Sequence, residues 1–155
     1  MTSNVKKADF VHLHVHSEFS LLDGMGKIHQ LVDRAASLGM EALALTDHGV
    51  MFGAVDFYLE AVGKGIKPIV GCEYYLAPRK LSDKEPKLDS SSFHLTTLVT
   101  DGQGYRNAIH MASVAQLEGF YYRPRIDMDL LESHSNGLLC LSGCPSSQIS
   151  RLILD

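Results

Sequence analysis

The chain has 155 residues, a hydrophobic share of 45% and a formal net charge of −4 with histidine neutral. That composition describes a globular chain with a core, and its acidic balance excludes a global basic field for nucleic acid, so any such contact needs a local patch or a neighbouring domain. Cys72, Cys140 and Cys144 fit neither a disulfide framework nor a zinc-finger spacing, and no apolar run has membrane-spanning or signal-peptide form. A reduced, cytoplasmic protein with no membrane partner is expected.

Phe10, Val11, Leu13 and Val15 predict a short buried strand. Side chains two apart on a strand point the same way, so His14 and His16 should converge on one point. Ile28, Leu31, Val32, Ala35 and Leu38 fall at helical spacing, with Gly39 as the stop. Residues 42–45 predict a second strand. Phe52, Val55, Tyr58, Leu59 and Val62 mark a second helix, ended by Gly63 and Gly65. Residues 66–70 predict a third strand, which 74–76 can continue. The polar stretch 77–92 carries Pro78, Arg79, Lys80, Lys84, Pro86, Lys87 and a run of serines, and it reads as a long surface loop. Residues 93–100 are a further strand. No helix separates it from 74–76, so the two can form an antiparallel hairpin. Ala108, Ile109, Met111, Ala112 and Ala115 mark a third helix, residues 137–141 another strand and 148–154 a last helix. No repeat or interdomain linker interrupts the series, and a single domain over residues 1–155 is expected. Strands alternating with helices predict βαβ units and a parallel sheet, an α/β fold.

The residues with chemistry fall at one edge of that sheet. His14 and His16 end the first strand, Asp47 and His48 follow the second, and Glu73 lies near the end of the third. His94 begins its strand, which in a hairpin lies beside the end of the preceding one, and Cys144 follows Leu141. Parallel α/β folds carry their sites at the carboxyl ends of strands. Imidazole with carboxylate suits zinc, manganese or iron, and a thiolate leans towards zinc. A bridging carboxylate such as Glu73 can join two ions, and two metals roughly 4 Å apart suit phosphoester hydrolysis.

The stretches His-Leu-His-Val-His-Ser-Glu-Phe-Ser-Leu-Leu-Asp-Gly (12–24), Leu-Thr-Asp-His-Gly (45–49), Phe-Gly-Ala-Val-Asp-Phe-Tyr (52–58), Gly-Ile-Lys-Pro-Ile-Val-Gly-Cys-Glu (65–73), Phe-His-Leu-Thr (93–96), Glu-Gly-Phe-Tyr (118–121) and Leu-Ser-Gly-Cys-Pro (141–145) resemble the PHP (polymerase and histidinol phosphatase) superfamily. The Phe-Gly-Ala-Val and Ile-Lys-Pro-Ile-Val-Gly pieces are more closely similar to the N-terminal PHP domain of the bacterial DNA polymerase III alpha-subunit family. The resemblance implies the N-terminal portion of a distorted PHP-type (β/α)7 TIM-like barrel, a single partial PHP domain. It implies a site in which His14, His16, Asp23, His48, Glu73, His94 and Cys144 hold Zn2+ or Mn2+ as a multinuclear cluster. It also implies 3′-5′ exonuclease chemistry, with His14, His16, His48 and Glu73 as the catalytic residues.

Asp23 comes from the resemblance alone, since Leu-Asp-Gly by itself reads as a turn. Asp47 is then expected to orient His48. The family closes its cluster with a late Asp-x-His pair that does not occur after Cys144, and it continues into the polymerase domains. The resemblance therefore implies an N-terminal fragment of a DNA-directed DNA polymerase, a nucleotidyltransferase, inactive by itself. DNA 3′ ends, the remaining polymerase domains and other replisome subunits are the implied partners. Two other readings stand beside this one: a stand-alone phosphatase acting on small phosphate monoesters, and a metal-stabilised scaffold without catalysis.

His12 shares the predicted strand face of His14 and His16, as a hydrogen-bond partner of ligands or as a core residue. His29 and His134 read as surface residues, and His110 as packed or solvated. Cys72 and Cys140 read as buried small hydrophobes. Arg79, Lys80, Lys84, Lys87, Arg123 and Arg125 can meet DNA phosphates or simply be solvated. The pairs Tyr74/Tyr75 and Tyr121/Tyr122 read as core or rim packing before base stacking.

Overall fold

The computed structural model describes residues 8–21 and 23–154. Helix α1 (Ile28–Ser37) buries Ile28, Val32 and Ala35 along one stripe. It stops where Gly39 turns left-handed at φ +71° and bonds back to the Ala36 carbonyl. Strand β1 (Ala42–Leu45) is buried throughout. Helix α2 (Ala54–Gly63) forms where its spacing predicts, but it buries Ala54, Phe57 and Ala61. The stripe that marked it in the sequence, Val55, Tyr58, Leu59 and Val62, is exposed.

Strand β2 (Lys67–Leu76) is one continuous strand, so residues 74–76 do continue the third predicted strand. Its first half pairs in parallel with β1, from Ala42↔Lys67 to Leu45↔Val70. Its second half pairs antiparallel with β3 (Phe93–Val99), from Gly71↔Leu98 to Leu76↔Phe93, which is the expected hairpin. The connection 77–92 holds only a short helical turn, α3 (Pro86–Asp89), too little for a crossover, so β3 must return antiparallel. Helix α4 (Gly102–Leu117) follows, its N-terminus capped by the Asp101 carboxylate accepting from the Gln103 and Gly104 N–H groups. Strand β4 (Arg125–Ile126) adds in parallel to β2, and after α5 (Met128–Ser133) strand β5 (Leu138–Cys140) pairs antiparallel with β3. Helix α6 (Gln148–Leu154) forms at its predicted position. The sheet is thus mixed, in the order β1-β2-β3-β5, where a parallel one was expected.

Residues 10–16 depart from the predicted strand. They run beside β1 through the Ala44 N–H to the His12 carbonyl and the Thr46 N–H to the Val15 carbonyl, both 2.9 Å, but they form no regular strand. Three steps on this segment face two on β1, so an extra residue bulges out near Leu13 and His14. Phe10 and Leu13, expected to be buried, are exposed.

Two apolar clusters flank the sheet. Val32, Leu43, Leu45, Phe57 and Ala61 pack α1 and α2 on β1. Cys72, Tyr74 and Leu76, alternate residues of β2, pack with Met111, Ala115 and Ile126. That alternation sends Glu73 and Tyr75 to the opposite face. Cys72 is buried as expected, whereas Cys140, on the last strand of the sheet order, is exposed. No described helix is long and apolar enough to cross a membrane.

Stretch 77–92 is tied down from within. Arg125 is buried and donates to the carbonyls of Gly119, Leu81, Asp83 and Asp89. Arg79 grips the buried Asp89 carboxylate at 2.6 and 2.9 Å, and Lys80 pairs with Asp129. Arg125 is thus taken up inside the fold, while Arg79 and Lys80 pair with carboxylates at the surface. Burial of Arg125 is the clearest correction among the basic candidates.

Candidate metal centre

Glu73 lies inside β2, three residues before its end, and not at the strand terminus. Its backbone bridges β1's continuation: Glu73 N–H donates to the Asp47 carbonyl and Gly49 N–H donates to the Glu73 carbonyl, at 3.0 and 2.9 Å. That ladder puts His48 beside Glu73. On the other edge, Tyr75↔His94 and Glu73↔Thr96 are register partners, so His94 shares the Glu73 face. Gly49 follows at φ +61°, a conformation that glycine adopts without strain.

Around the buried Glu73 carboxylate the imidazoles converge. Oε2 lies 2.5 Å from His14 Nε2, 2.9 Å from His16 Nε2 and 3.5 Å from His48 Nδ1, while Oε1 lies 2.8 Å from His94 Nδ1. The Nε2 atoms of His14 and His16 are 3.0 Å apart, so the expected convergence is present even though the strand is not. Asp23 Oδ2 lies 2.9 Å from His48 Nε2, on a turn closed by Asp23 and Gly24 N–H bonds to the Ser20 carbonyl. Gly24 is required there, because a Cβ would stand 1.9 Å from the Ser17 carbonyl oxygen. Cys144 sits at the rim, its Sγ 3.8 Å from His94 Nδ1. The backbone contacts of segment 141–147 with β3, Leu141 N–H to Thr96 and His94 N–H to Ser146, bring it there. His12 takes no part: it is exposed, edge-on to Phe10. His29 and His110 are exposed, and His110 stacks on His134 away from the cluster.

Asp47 does something other than orient the His48 ring. Its buried carboxylate accepts from Ser17 N–H at 2.6 Å and from the Ser17 and Ser20 hydroxyls, each at 2.7 Å. Ser20 Oγ in turn lies 3.0 Å from His16 Nδ1 and accepts from the His48 backbone N–H. A hydroxyl has one proton, and Ser20 gives it to Asp47, so His16 Nδ1 carries the N–H. In the neutral ring this leaves the Nε2 lone pair aimed at Glu73 Oε2. Two acceptors facing each other call for a cation between them. Ser17 and Ser20 escaped the sequence reading; the signal was a buried aspartate, which needs donors.

Electrostatics agree. With no ion bound, protons take its place on the facing imidazole nitrogens: burial alone would push the Glu73 carboxyl up, but hydrogen bonds from His14, His16 and His94 outweigh it and hold the group well below the usual carboxylate range. The hydrogen bond to Glu73 raises His14, whereas burial lowers His48. Nδ1 of His48 is buried and makes no hydrogen bond among the described residues, leaving an atom that a cation would satisfy. Among the described residues, three overlapping groups could each hold an ion: His14, His16 and Glu73; His16, Asp23 and His48; His48, Glu73 and His94. The nitrogen and carboxylate donors fit a divalent transition metal.

Comparison with known proteins gives a consistent result. The chain is 50% identical over 149 residues to DNA polymerase III subunit alpha of Borreliella burgdorferi, covering 96% of this chain and 13% of the relative. The protein of the same name from Treponema pallidum is 49% identical over 150 residues, with the same coverage, and that from Thermus aquaticus is 47% identical over 153. The chain therefore spans about 13% of the length of the curated relatives it matches. A crystal structure from Bifidobacterium adolescentis, assigned as a metal-dependent phosphoesterase, shares the fold with a TM-score of 0.50 at 20% identity, over 72% of this chain and 35% of that one. The PHP domain profile matches residues 12–155, and the chain belongs to the PHP domain family.

Proposed function

We propose that the chain is the N-terminal PHP segment of a bacterial replicative DNA polymerase III alpha subunit, and that its cluster removes nucleotides from DNA 3′ ends. The site residues in this reading are His14, His16, Asp23, His48, Glu73, His94 and Cys144, holding zinc or manganese. The observation that carries it is one buried carboxylate, Glu73, shared by the imidazoles of His14, His16, His48 and His94. Relatives with the polymerase name support the larger context, in which the remaining polymerase domains and other replisome subunits are the partners.

Bound ions would supply positive charge to the attacking and leaving oxygens of a phosphodiester. The chain's own residues set the stage for that. Glu73 keeps its charge at neutral pH and spans the cluster with both oxygens. Asp47, through Ser20, keeps the His16 proton on Nδ1 and the Nε2 lone pair free. Asp23 reaches His48 Nε2 from the rim, where a substrate would enter.

The test is an exonuclease assay on the intact polymerase with 5′-labelled single-stranded DNA. The expected result is metal-dependent shortening from the 3′ end that H14A and E73Q abolish, with synthesis on a primed template retained. Shortening that survives in E73Q would sink the proposal. No shortening in the wild type, with synthesis lost in both variants, would favour the scaffold.

A further inference from the structure

Beside the cluster lies a polar cleft of about 490 Å³, lined in part by Asp23, His48 and His94. Tyr75, Arg123, Ser90, Ser91 and Ser92 also line it. Tyr75 links Arg123 to the imidazoles. It is buried, its ring stacks on His48 at 5.6 Å and meets His94 edge-on at 5.4 Å. The Arg123 guanidinium rests 5.2 Å from the centre of the same ring, and Nη1 donates to Tyr75 Oη at 3.2 Å.

Arg123 differs from the other basic residues near the cleft. Arg79, Lys80 and Arg125 are consumed by carboxylates or carbonyls. Among the described residues, Arg123 pairs with no carboxylate, and the Tyr75 hydroxyl is the one partner of its five donors. Its position is built by the backbone. Tyr122, directly before it, is the one described non-glycine residue at positive φ, +59°. Tyr121 and Arg123 close that turn through a 3.0 Å backbone bond, and Pro124 packs so tightly on Gly49 that a Cβ there would stand 2.7 Å from the ring. Strain of this kind is kept where a side chain must be held in one place.

We infer that Arg123 is the phosphate-binding residue of this cleft and that the cleft takes a nucleotide-sized group. Its phosphate lies between the guanidinium and the rim formed by His48, His94 and Asp23. This inference rests on the reading of the cluster as a phosphoesterase centre. A planar fork with free donors matches phosphate oxygens, and a cleft of this volume falls in the range for small-molecule sites, well above that of a bare phosphate. Ser90, Ser91 and Ser92 add hydroxyl-bearing residues to the lining.

The experiment is calorimetric titration of the full-length protein with inorganic phosphate and with dAMP, together with its metal content, for wild type, R123A and R123K. Expected are unchanged metal content in both variants, dAMP affinity lower by roughly tenfold or more in R123A, and partial recovery in R123K. Wild-type affinity in R123A overturns the inference, as does a wild type that binds neither probe. Loss of metal together with dAMP in R123A also overturns it, because Arg123 would then act on the ligands through Tyr75. A protein that binds dAMP through Arg123 yet holds no metal keeps this inference and refutes the metal reading alone.

Discussion

Glu73 and His94 lie diagonally across the β2–β3 ladder, with Oε1 2.8 Å from Nδ1. This contact depends on register, because a slip of one residue would turn Glu73 into the cluster of Cys72, Tyr74 and Leu76 and leave the imidazoles without their shared carboxylate. The hairpin is therefore as much a part of the site as the residues themselves.

Replacing Ser20 with alanine should loosen the cluster from behind. His16 Nδ1 would lose the partner that fixes its tautomer, and Asp47 would lose a donor. Metal affinity is expected to fall roughly 10–100-fold with the fold retained. Competition with a chelator measures it; unchanged affinity would remove the Asp47–Ser20–His16 relay from the account.

Gly24→Ala should displace Asp23 without replacing any candidate ligand. The new Cβ would stand 1.9 Å from the Ser17 carbonyl oxygen, so the turn must shift. The cost is about 1–3 kcal/mol. The group of His16, Asp23 and His48 should bind its ion more weakly, while His14, His16 and Glu73 keep theirs. Metal stoichiometry by mass spectrometry would show a partial loss, and full retention would contradict the reading.

Without metal, stability should peak near the ordinary histidine pKa of 6.5. His14 is raised by Glu73, so its contribution is present below 6.5 and fades as pH climbs through its higher folded value. His48 is lowered by burial, so stability falls as pH drops from 6.5 through its lower folded value. The depressed Glu73 carboxyl adds stability that is full above its ordinary pKa of 4.5 and is lost progressively as pH falls below that towards its lower folded value. With metal bound, protons compete with the ion, and stability should instead rise from pH 6 to 8. Melting curves with and without chelator across that range test the reversal of slope.

Arg125→Met should destabilise stretch 77–92 without altering the metal site. The carbonyls of Gly119, Leu81, Asp83 and Asp89 would lose a shared donor. The expected loss is about 3 kcal/mol, roughly 6–12 °C in Tm. A calorimetric scan reads the loss, and an unchanged Tm would show that these bonds add nothing.

Legibility in the sequence varied with how local each signal is. His14 and His16 announce their convergence by spacing, and the 93–99 hairpin follows from the missing crossover helix. The bulge in residues 10–16 was invisible, because it arises from pairing with β1 and not from an apolar pattern. In α2 the period was right and the face wrong, since Val55, Tyr58, Leu59 and Val62 look no different from a core stripe until Phe57 is seen to fill that place. Asp23 reads as a turn residue because it is one; only the fold brings it to His48. Arg123 and Arg125 are two apart in one motif, yet one is exposed on the cleft and the other is buried, a difference decided by tertiary packing.

The most direct measurement is the metal content of the full-length protein, purified without chelator, for wild type and E73Q by plasma mass spectrometry. The account predicts more than one equivalent of zinc or manganese per wild-type chain and near-complete loss in E73Q. A wild type without bound metal, or an E73Q variant that holds as much as wild type, would contradict it.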